Sequence, residues 1–115
     1  MAGEQAVPEF EDAQVLGALR AAARHGLTQT RQGEGDVLRW GWDMEAVNDL
    51  LVECEDSELH EHGLSDHYPE YNDYIVILKV ELEDEPHPFY VKVALALPNL
   101  TPGELMSFHP WGMQR

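Results

Sequence analysis

The sequence lacks most of what a membrane-bound or disulfide-stabilised protein needs. Its 115 residues include one cysteine, Cys54, so no internal disulfide can form. No run of about 18 apolar residues occurs, and the opening residues MAGEQAVPEFEDAQ are acidic where a secretory signal is basic and then apolar. The sequence therefore predicts a soluble, cytoplasmic protein of one domain, 1–115, with no membrane partner and with 1–7 and 111–115 loosely ordered.

Basic residues are scarce as well. Seven Lys and Arg stand against 22 Asp and Glu, which gives a net charge of −15. A negative field of that size repels nucleic acid at long range, so any surface that binds phosphate must be local. Two interpretations of the acidic surface remain open: a solvated face that keeps the protein soluble, or a face that docks a basic protein partner.

Apolar spacing predicts two helices in the first half of the chain. Pro8 can open a helix near 9–25 that Gly26 ends, and Asp43 can cap a second helix near 43–55. Cys54 falls on the apolar face of the second helix, which favours a core residue over a nucleophile. The intervening LTQTRQGEGDVLRWGW has two interpretations: a hairpin around QGEG, or a short helical turn at DVLRW.

The second half of the chain changes to a strand-like period. YNDYIVILKVELE predicts a central strand, EDEPHP a connecting loop, FYVKVALAL a second strand, PNLTPG a turn and ELMSFH a last strand. We therefore expect three consecutive antiparallel strands over 71–109. Together these elements predict an α+β fold with N-terminal helices packed on a C-terminal antiparallel sheet of three or more strands.

Four short segments, GWDMEAVNDLL, ELHEHG, FYVKV and MSFH, resemble the MqsR family of toxins from bacterial toxin–antitoxin pairs. Those toxins are small ribonucleases with a RelE-like fold. The resemblance covers roughly residues 40 to 110 and implies an mRNA-cleaving enzyme without cofactor, together with an antitoxin protein as partner. It places Tyr90 and Lys92 in a family pattern of Tyr-x-Lys, and His109 at the end of the last strand. The chain departs from the family at ELHEHG, where His60 or Glu61 replaces a lysine, and in its acidity.

The chemistry of RNA cleavage asks for the same residue types. Cleavage without metal needs a base for the 2′-hydroxyl, an acid for the leaving oxygen and a positive charge on the phosphate. Tyr90, Lys92 and His109 supply these groups if their side chains share one face of the sheet. His60 is a fourth candidate catalytic residue, by its place in ELHEHG. The alternative is that these side chains only cover a solvent-facing surface.

A second cluster of polar residues lies in HEHGLSDHYPE. The donors His60, His62, Asp66 and His67 suit zinc, but their spacing fits no established motif, so we expect a solvated loop and no bound metal. Trp40, Trp42 and Trp111 are either stacking platforms for bases or packing residues.

Two classes of function follow. The first is an RNA-cleaving toxin, or an inactive descendant of one. The second is a non-enzymatic acidic binding module, such as an inhibitor or immunity-like protein, that docks a basic partner.

Overall fold

The computed structural model describes residues 12–65, 71–96 and 103–112. The described residues form an α+β fold of three α-helices and five strands. The helices are α1 (Asp12–His25), α2 (Arg31–Arg39) and α3 (Met44–Val52), and a short 3-10 turn covers Asp56–Glu58. The strands are β1 (Thr28–Gln29), β2 (Leu59–Leu64), β3 (Tyr71–Leu82), β4 (Glu85–Ala96) and β5 (Gly103–Pro110).

The strands form one sheet in the order β1-β5-β4-β3-β2. Strands β2 to β5 pair antiparallel with their neighbours, which confirms the three antiparallel strands expected over 71–109. Strand β1 runs parallel to β5, with Thr28 opposite Glu104. The sheet is therefore mixed, and the expectation of a purely antiparallel sheet was wrong.

The hairpin interpretation of LTQTRQGEGDVLRWGW is wrong, and the alternative of a helical turn at DVLRW is confirmed: residues Arg31–Arg39 form helix α2, with Trp40 as its C-cap. The Thr30 side chain caps the helix by accepting from the Gly33 backbone N–H at 3.0 Å. Gly33 lies so close to β5 that a Cβ atom built there would be 2.2 Å from the Leu105 carbonyl oxygen. The glycines that suggested a turn thus belong to a helix, and one of them permits close helix–strand contact.

The loop expected at HEHGLSDHYPE is wrong for its first five residues, because LHEHGL is a strand. This strand is β2, at one edge of the sheet, and it pairs with β3 through a bulge between Leu59 and Glu61. A polar segment can be a strand here because edge strands bury little side-chain surface.

The loop expected at EDEPHP is also much shorter than predicted. Only Glu83 and Asp84 form the turn, both with positive φ (54° and 70°), and β4 begins at Glu85. Positive φ at both central residues gives the backbone twist that lets a two-residue turn join antiparallel strands.

One buried cluster takes side chains from all three helices and from β3, β4 and β5. Its largest members include Tyr74, Phe89 and Phe108, all 0% exposed. Cys54 belongs to it, as expected, and Asp43 caps α3 by accepting from the Ala46 N–H at 2.8 Å. Each fully buried large apolar side chain contributes about 1.5–3 kcal/mol, so this cluster is the main source of stability.

Several expectations concern residues outside the described ranges. These are the loose start at 1–7, the helix opening at Pro8, Asp66 and His67 of the His-rich segment, the PNLTPG turn and the end at 113–115. Within the described ranges, no helix is long and apolar enough to span a membrane.

Candidate functional site

One face of the sheet carries three of the four residues that the sequence marked as catalytic candidates, namely Tyr90, Lys92 and His109. Along β3 and β4, core residues such as Tyr74 and Val91 alternate with partly exposed ones. Because side chains alternate across a strand, the partly exposed set shares the opposite face. We call the part of this face formed by Asp73, Tyr90, Lys92, Ser107 and His109 the polar face.

Tyr90 and His109 are direct partners across β4 and β5. Their rings stack with centroids 5.1 Å apart and an interplanar angle of 24°. The His109 Nδ1 atom lies 3.0 Å from the Pro110 carbonyl oxygen, and a carbonyl can only accept. This contact assigns the proton of the neutral ring to Nδ1, which leaves a lone pair on Nε2.

A bulge in β5 sets the direction of His109. Ser107 is opposite Lys92 and Leu105 is opposite Val93, so Met106 is the extra residue. Regular alternation would put His109 on the same side as buried Leu105. The extra residue reverses the alternation, so Phe108 is buried and His109 lies beside Tyr90.

Helix α2 holds this bulge from the side. The Thr30 backbone N–H donates to the Leu105 carbonyl at 3.0 Å, and the Phe108 N–H donates to the Asp36 carboxylate at 2.9 Å. The Gln32 side chain reaches Ser107 Oγ at 3.5 Å. These bonds flank Met106 on both sides, so α2 fixes the position of the bulge.

Lys92 lies two residues along β4 from Tyr90, on the same face. Its Nζ is 3.6 Å from Asp73 Oδ2, and the two side chains are 31% and 15% exposed. Asp73 is opposite Ala94 and Lys92 is opposite Ile75, so the pair is diagonal across β3 and β4. Asp73 Oδ1 is buried and has no hydrogen-bond partner within the described residues.

A cleft of about 690 Å³ adjoins the polar face. Asp73, Lys92 and Ser107 belong to both, and the start of α2 contributes Arg31 and Gln32 to its wall. Tyr71 and Met106 add apolar surface. The cleft therefore places two cations and several hydrogen-bonding groups next to the stacked Tyr90 and His109.

His60 lies away from the other three candidates. Its strand, β2, is separated from β5 by β3 and β4. Its ring instead contacts Trp111, with centroids 5.2 Å apart, and Trp111 is anchored by a 2.8 Å bond from its N–H to the Pro88 carbonyl. Of the four candidates, the structure brings Tyr90, Lys92 and His109 together and places His60 against Trp111.

The three tryptophans that the sequence offered as stacking platforms or packing residues also lie in different surroundings. Trp40 packs edge-on against Phe89 at 6.0 Å and Trp42 against Phe108 at 5.6 Å, so these two rings border the core. Trp111 is 45% exposed and is the most exposed of the three tryptophans, whereas Trp40 and Trp42 are partly buried.

No group of three metal-binding side chains forms within the described parts of the chain. His62 is close to buried Tyr74, with ring centroids 6.0 Å apart, while His60 contacts Trp111. The two histidines thus have different neighbours, and the absence of a bound metal stays a prediction.

The sequence did not indicate Asp73, Arg31 or Ser107 as site residues. A signal for Asp73 was present, because the period of YNDYIVILKV puts it on the same side of β3 as Ile75, which is opposite Lys92. The place of Arg31 in the site depends on the position of α2, and that of Ser107 depends on the bulge in β5. No local sequence pattern indicates either.

Comparison with known proteins adds no identification: neither a protein-family model nor a curated protein matches the chain.

Proposed function

We propose that the protein is a metal-independent endoribonuclease of the MqsR type with a RelE-like fold, and that Tyr90, Lys92 and His109 act on the RNA. The observation that carries this proposal is the stacked pair of Tyr90 and His109 with Lys92 on the same face. A proton-transfer group, a hydroxyl and a cation so arranged are the side chains that cleavage by the 2′-hydroxyl requires.

The roles follow from the chemistry of each atom. His109 Nε2 takes the proton of the 2′-hydroxyl, and the 2′-oxygen attacks the neighbouring phosphorus. The bond from phosphorus to the 5′-oxygen breaks, and the leaving oxygen takes a proton from the Tyr90 hydroxyl. Lys92 stabilises the charge that develops on the phosphate oxygens, and the product is a 2′,3′-cyclic phosphate. In this mechanism His60 with Trp111 contacts RNA beyond the cleaved bond and moves no proton.

The acidity of the chain limits this activity to a small surface. Arg31 and Lys92 line the cleft together with the carboxylates of Asp73 and Glu104, so a phosphate meets less repulsion there than on the rest of a chain of net charge −15. The ion pair with Asp73 orients Lys92 and also offsets part of its charge. We therefore expect weak RNA binding with a shallow dependence on salt, because the site can neutralise few phosphates.

The test is cleavage of a labelled RNA by the purified chain in the presence of EDTA. We expect products that end in a 2′,3′-cyclic phosphate, and no cut where the nucleotide at the cleavage position lacks its 2′-hydroxyl. Removing a proton-transfer group costs about 100- to 10,000-fold in rate, so His109→Ala should lose activity by that factor. His25→Ala, at an exposed histidine on α1, is the matched control.

Expression in a bacterial host should arrest growth and fragment mRNA, and His109→Ala should relieve both effects. The proposal fails if the parent neither arrests growth nor cuts RNA, or if His109→Ala and Lys92→Ala remain as active as the parent.

A second candidate function rests on α3. Its exposed residues Glu45 and Asp49, with Glu53 at its C-cap, repeat every four positions and form an acidic stripe. A non-enzymatic module that binds a basic protein, an antitoxin included, would use this stripe. If the protein is such a module, it cuts no RNA, and reversing the charge of the stripe abolishes binding of the basic partner.

A further inference from the structure

The cleft beside the polar face has the charge balance of a site for a polar, partly anionic ligand. Arg31 and Lys92 in its wall are matched by the carboxylates of Asp73 and Glu104. In a chain of net charge −15, a locally neutral cleft repels an anion far less than the remaining surface does. Its volume of about 690 Å³ is in the range of sites that hold one nucleotide-sized molecule.

Asp73 has unused capacity to accept hydrogen bonds. Its Oδ1 atom has no partner among the described residues, and Oδ2 has Lys92 at 3.6 Å, which is longer than a hydrogen bond. An ionised carboxylate can accept about four hydrogen bonds, and a buried one left unfilled is unfavourable. A ligand that donates N–H groups to Asp73 would remove this deficit, after a small rotation of the carboxylate.

The neighbouring Lys92 narrows the class of ligand. The ammonium group donates and the carboxylate beside it accepts, so the pair presents a donor and an acceptor side by side. Each nucleobase presents an N–H donor next to an acceptor on its Watson–Crick edge, and single-stranded RNA leaves that edge available. Tyr71 and Met106 supply aromatic and apolar surface in the same cleft, against which a base can stack.

We propose that this cleft binds one base of the RNA next to the cleaved bond, and that Asp73 recognises the base by accepting from its Watson–Crick N–H groups. Arg31 then contacts the phosphate of the same nucleotide. The proposal rests on the endoribonuclease function, because it names the part of the RNA that the site holds. Asp73 is accordingly a residue of specificity and takes no proton in the reaction.

The test measures binding without cleavage. The four nucleoside 5′-monophosphates and ribose 5-phosphate are titrated into the intact chain, with calorimetry for affinity and amide NMR shifts for location. We expect at least one nucleotide to bind about 10-fold or more tightly than ribose 5-phosphate, because the base adds hydrogen bonds to a charged group. The shifts should centre on 71–73 and 92–94.

The variant Asp73→Ala should lose this preference for nucleotide over ribose 5-phosphate, while its affinity for ribose 5-phosphate stays the same or rises. Glu81→Ala, which removes one exposed carboxylate near the end of β3 outside the cleft, is the control for net charge. Should Asp73→Ala fail to fold, Asp73→Asn retains the shape and should weaken the preferred nucleotide selectively.

The inference is overturned if no nucleotide binds better than ribose 5-phosphate, if Asp73→Ala keeps the preference, or if the shifts lie elsewhere. Base-dependent binding by a chain that cuts no RNA would support the base-binding site in the cleft and contradict the proposed endoribonuclease function. Cleavage of RNA by a chain with no base-dependent binding would support the endoribonuclease function and exclude the base-binding site in the cleft.

Discussion

The backbone N–H of Phe108 donates to the carboxylate of Asp36 across 2.9 Å, which joins α2 to a strand 72 residues later in the chain. Asp36 is only 7% exposed. Phe108 lies two residues after the extra residue Met106, and among the described residues β1 pairs with β5 only at Glu104 and Leu105. A buried carboxylate from the helix therefore satisfies a backbone donor of β5.

Removing this acceptor should destabilise the fold. We expect Asp36→Ala to lower the free energy of unfolding by about 2 kcal/mol, because it leaves the buried Phe108 N–H without its partner. Asp36→Asn keeps an oxygen acceptor and should lose less. Urea unfolding measures both, with Glu34→Ala, an exposed acid on the same helix, as control. Equal stability of Asp36→Ala and Glu34→Ala would contradict the assigned role of this bond.

The two glycines of α2 should respond to substitution in opposite directions. Gly33→Ala should destabilise the protein by at least about 1 kcal/mol, since the new Cβ meets the Leu105 carbonyl oxygen at 2.2 Å and the helix must move. Gly35 has open space around it, so Gly35→Ala should stabilise by up to about 1 kcal/mol through helix propensity. Thermal and urea unfolding of the two variants test this contrast, and it is refuted if both change in the same direction.

Stability should fall at alkaline pH because of Cys54. Burial raises the pKa of the Cys54 thiol above its ordinary value of 9.0, an effect that the charge of Arg20 partly opposes. In the unfolded chain the thiol ionises near its ordinary pKa, whereas the folded chain keeps it neutral. The contribution of the neutral Cys54 thiol to the free energy of unfolding is therefore complete below pH 9.0. It is lost as the pH rises through the higher pKa that the thiol has in the folded chain.

The measurement is urea unfolding at a series of pH values from about 7 to 10.5. Burial also raises the pKa of the Tyr74 hydroxyl above its ordinary value of 10.0. The parent should therefore lose stability just above pH 9.0, because of Cys54, and again above pH 10.0, because of Tyr74. Cys54→Ala should show less decline just above pH 9.0. An unchanged slope in Cys54→Ala would mean that other groups cause the decline. In addition, a thiol reagent should modify the parent slowly until urea unfolds it.

Local periodicity predicted the parts of the fold whose partners are close in sequence or whose pattern is strong. The apolar spacing of 43–55 matched α3, and the strand-like period within 71–96 matched the two strands β3 and β4, because side-chain burial follows the period of the backbone. Helix α2 could not be identified from QGEG, since the reason for Gly33 is a carbonyl on β5. The edge strand at ELHEHG was missed because its polar residues give no strand period.

The candidate site shows the same limit. Alternation within FYVKV was sufficient to place Tyr90 and Lys92 on one face. Alternation within ELMSFH would have placed His109 with Leu105 in the core, and only the extra residue Met106 brings it to Tyr90. The bulge is held by hydrogen bonds with Thr30 and Asp36, the first at the start of α2 and the second within it. Its position therefore depends on tertiary contacts and not on the local sequence of β5.

The attachment of α2 to β5 also constrains the order of folding. Synthesis begins at the N-terminus, so Thr30 and Asp36 leave the ribosome long before Leu105 and Phe108 exist. A nine-residue helix with two glycines is too short and too flexible to persist alone. Helix α1 packs against α3, which follows it closely in the sequence. Helix α2 packs against β5, which is synthesised last. Nascent chains stalled before β5 should thus hold 28–39 unstructured and open to proteases, and the bulge that directs His109 should form only when this segment docks.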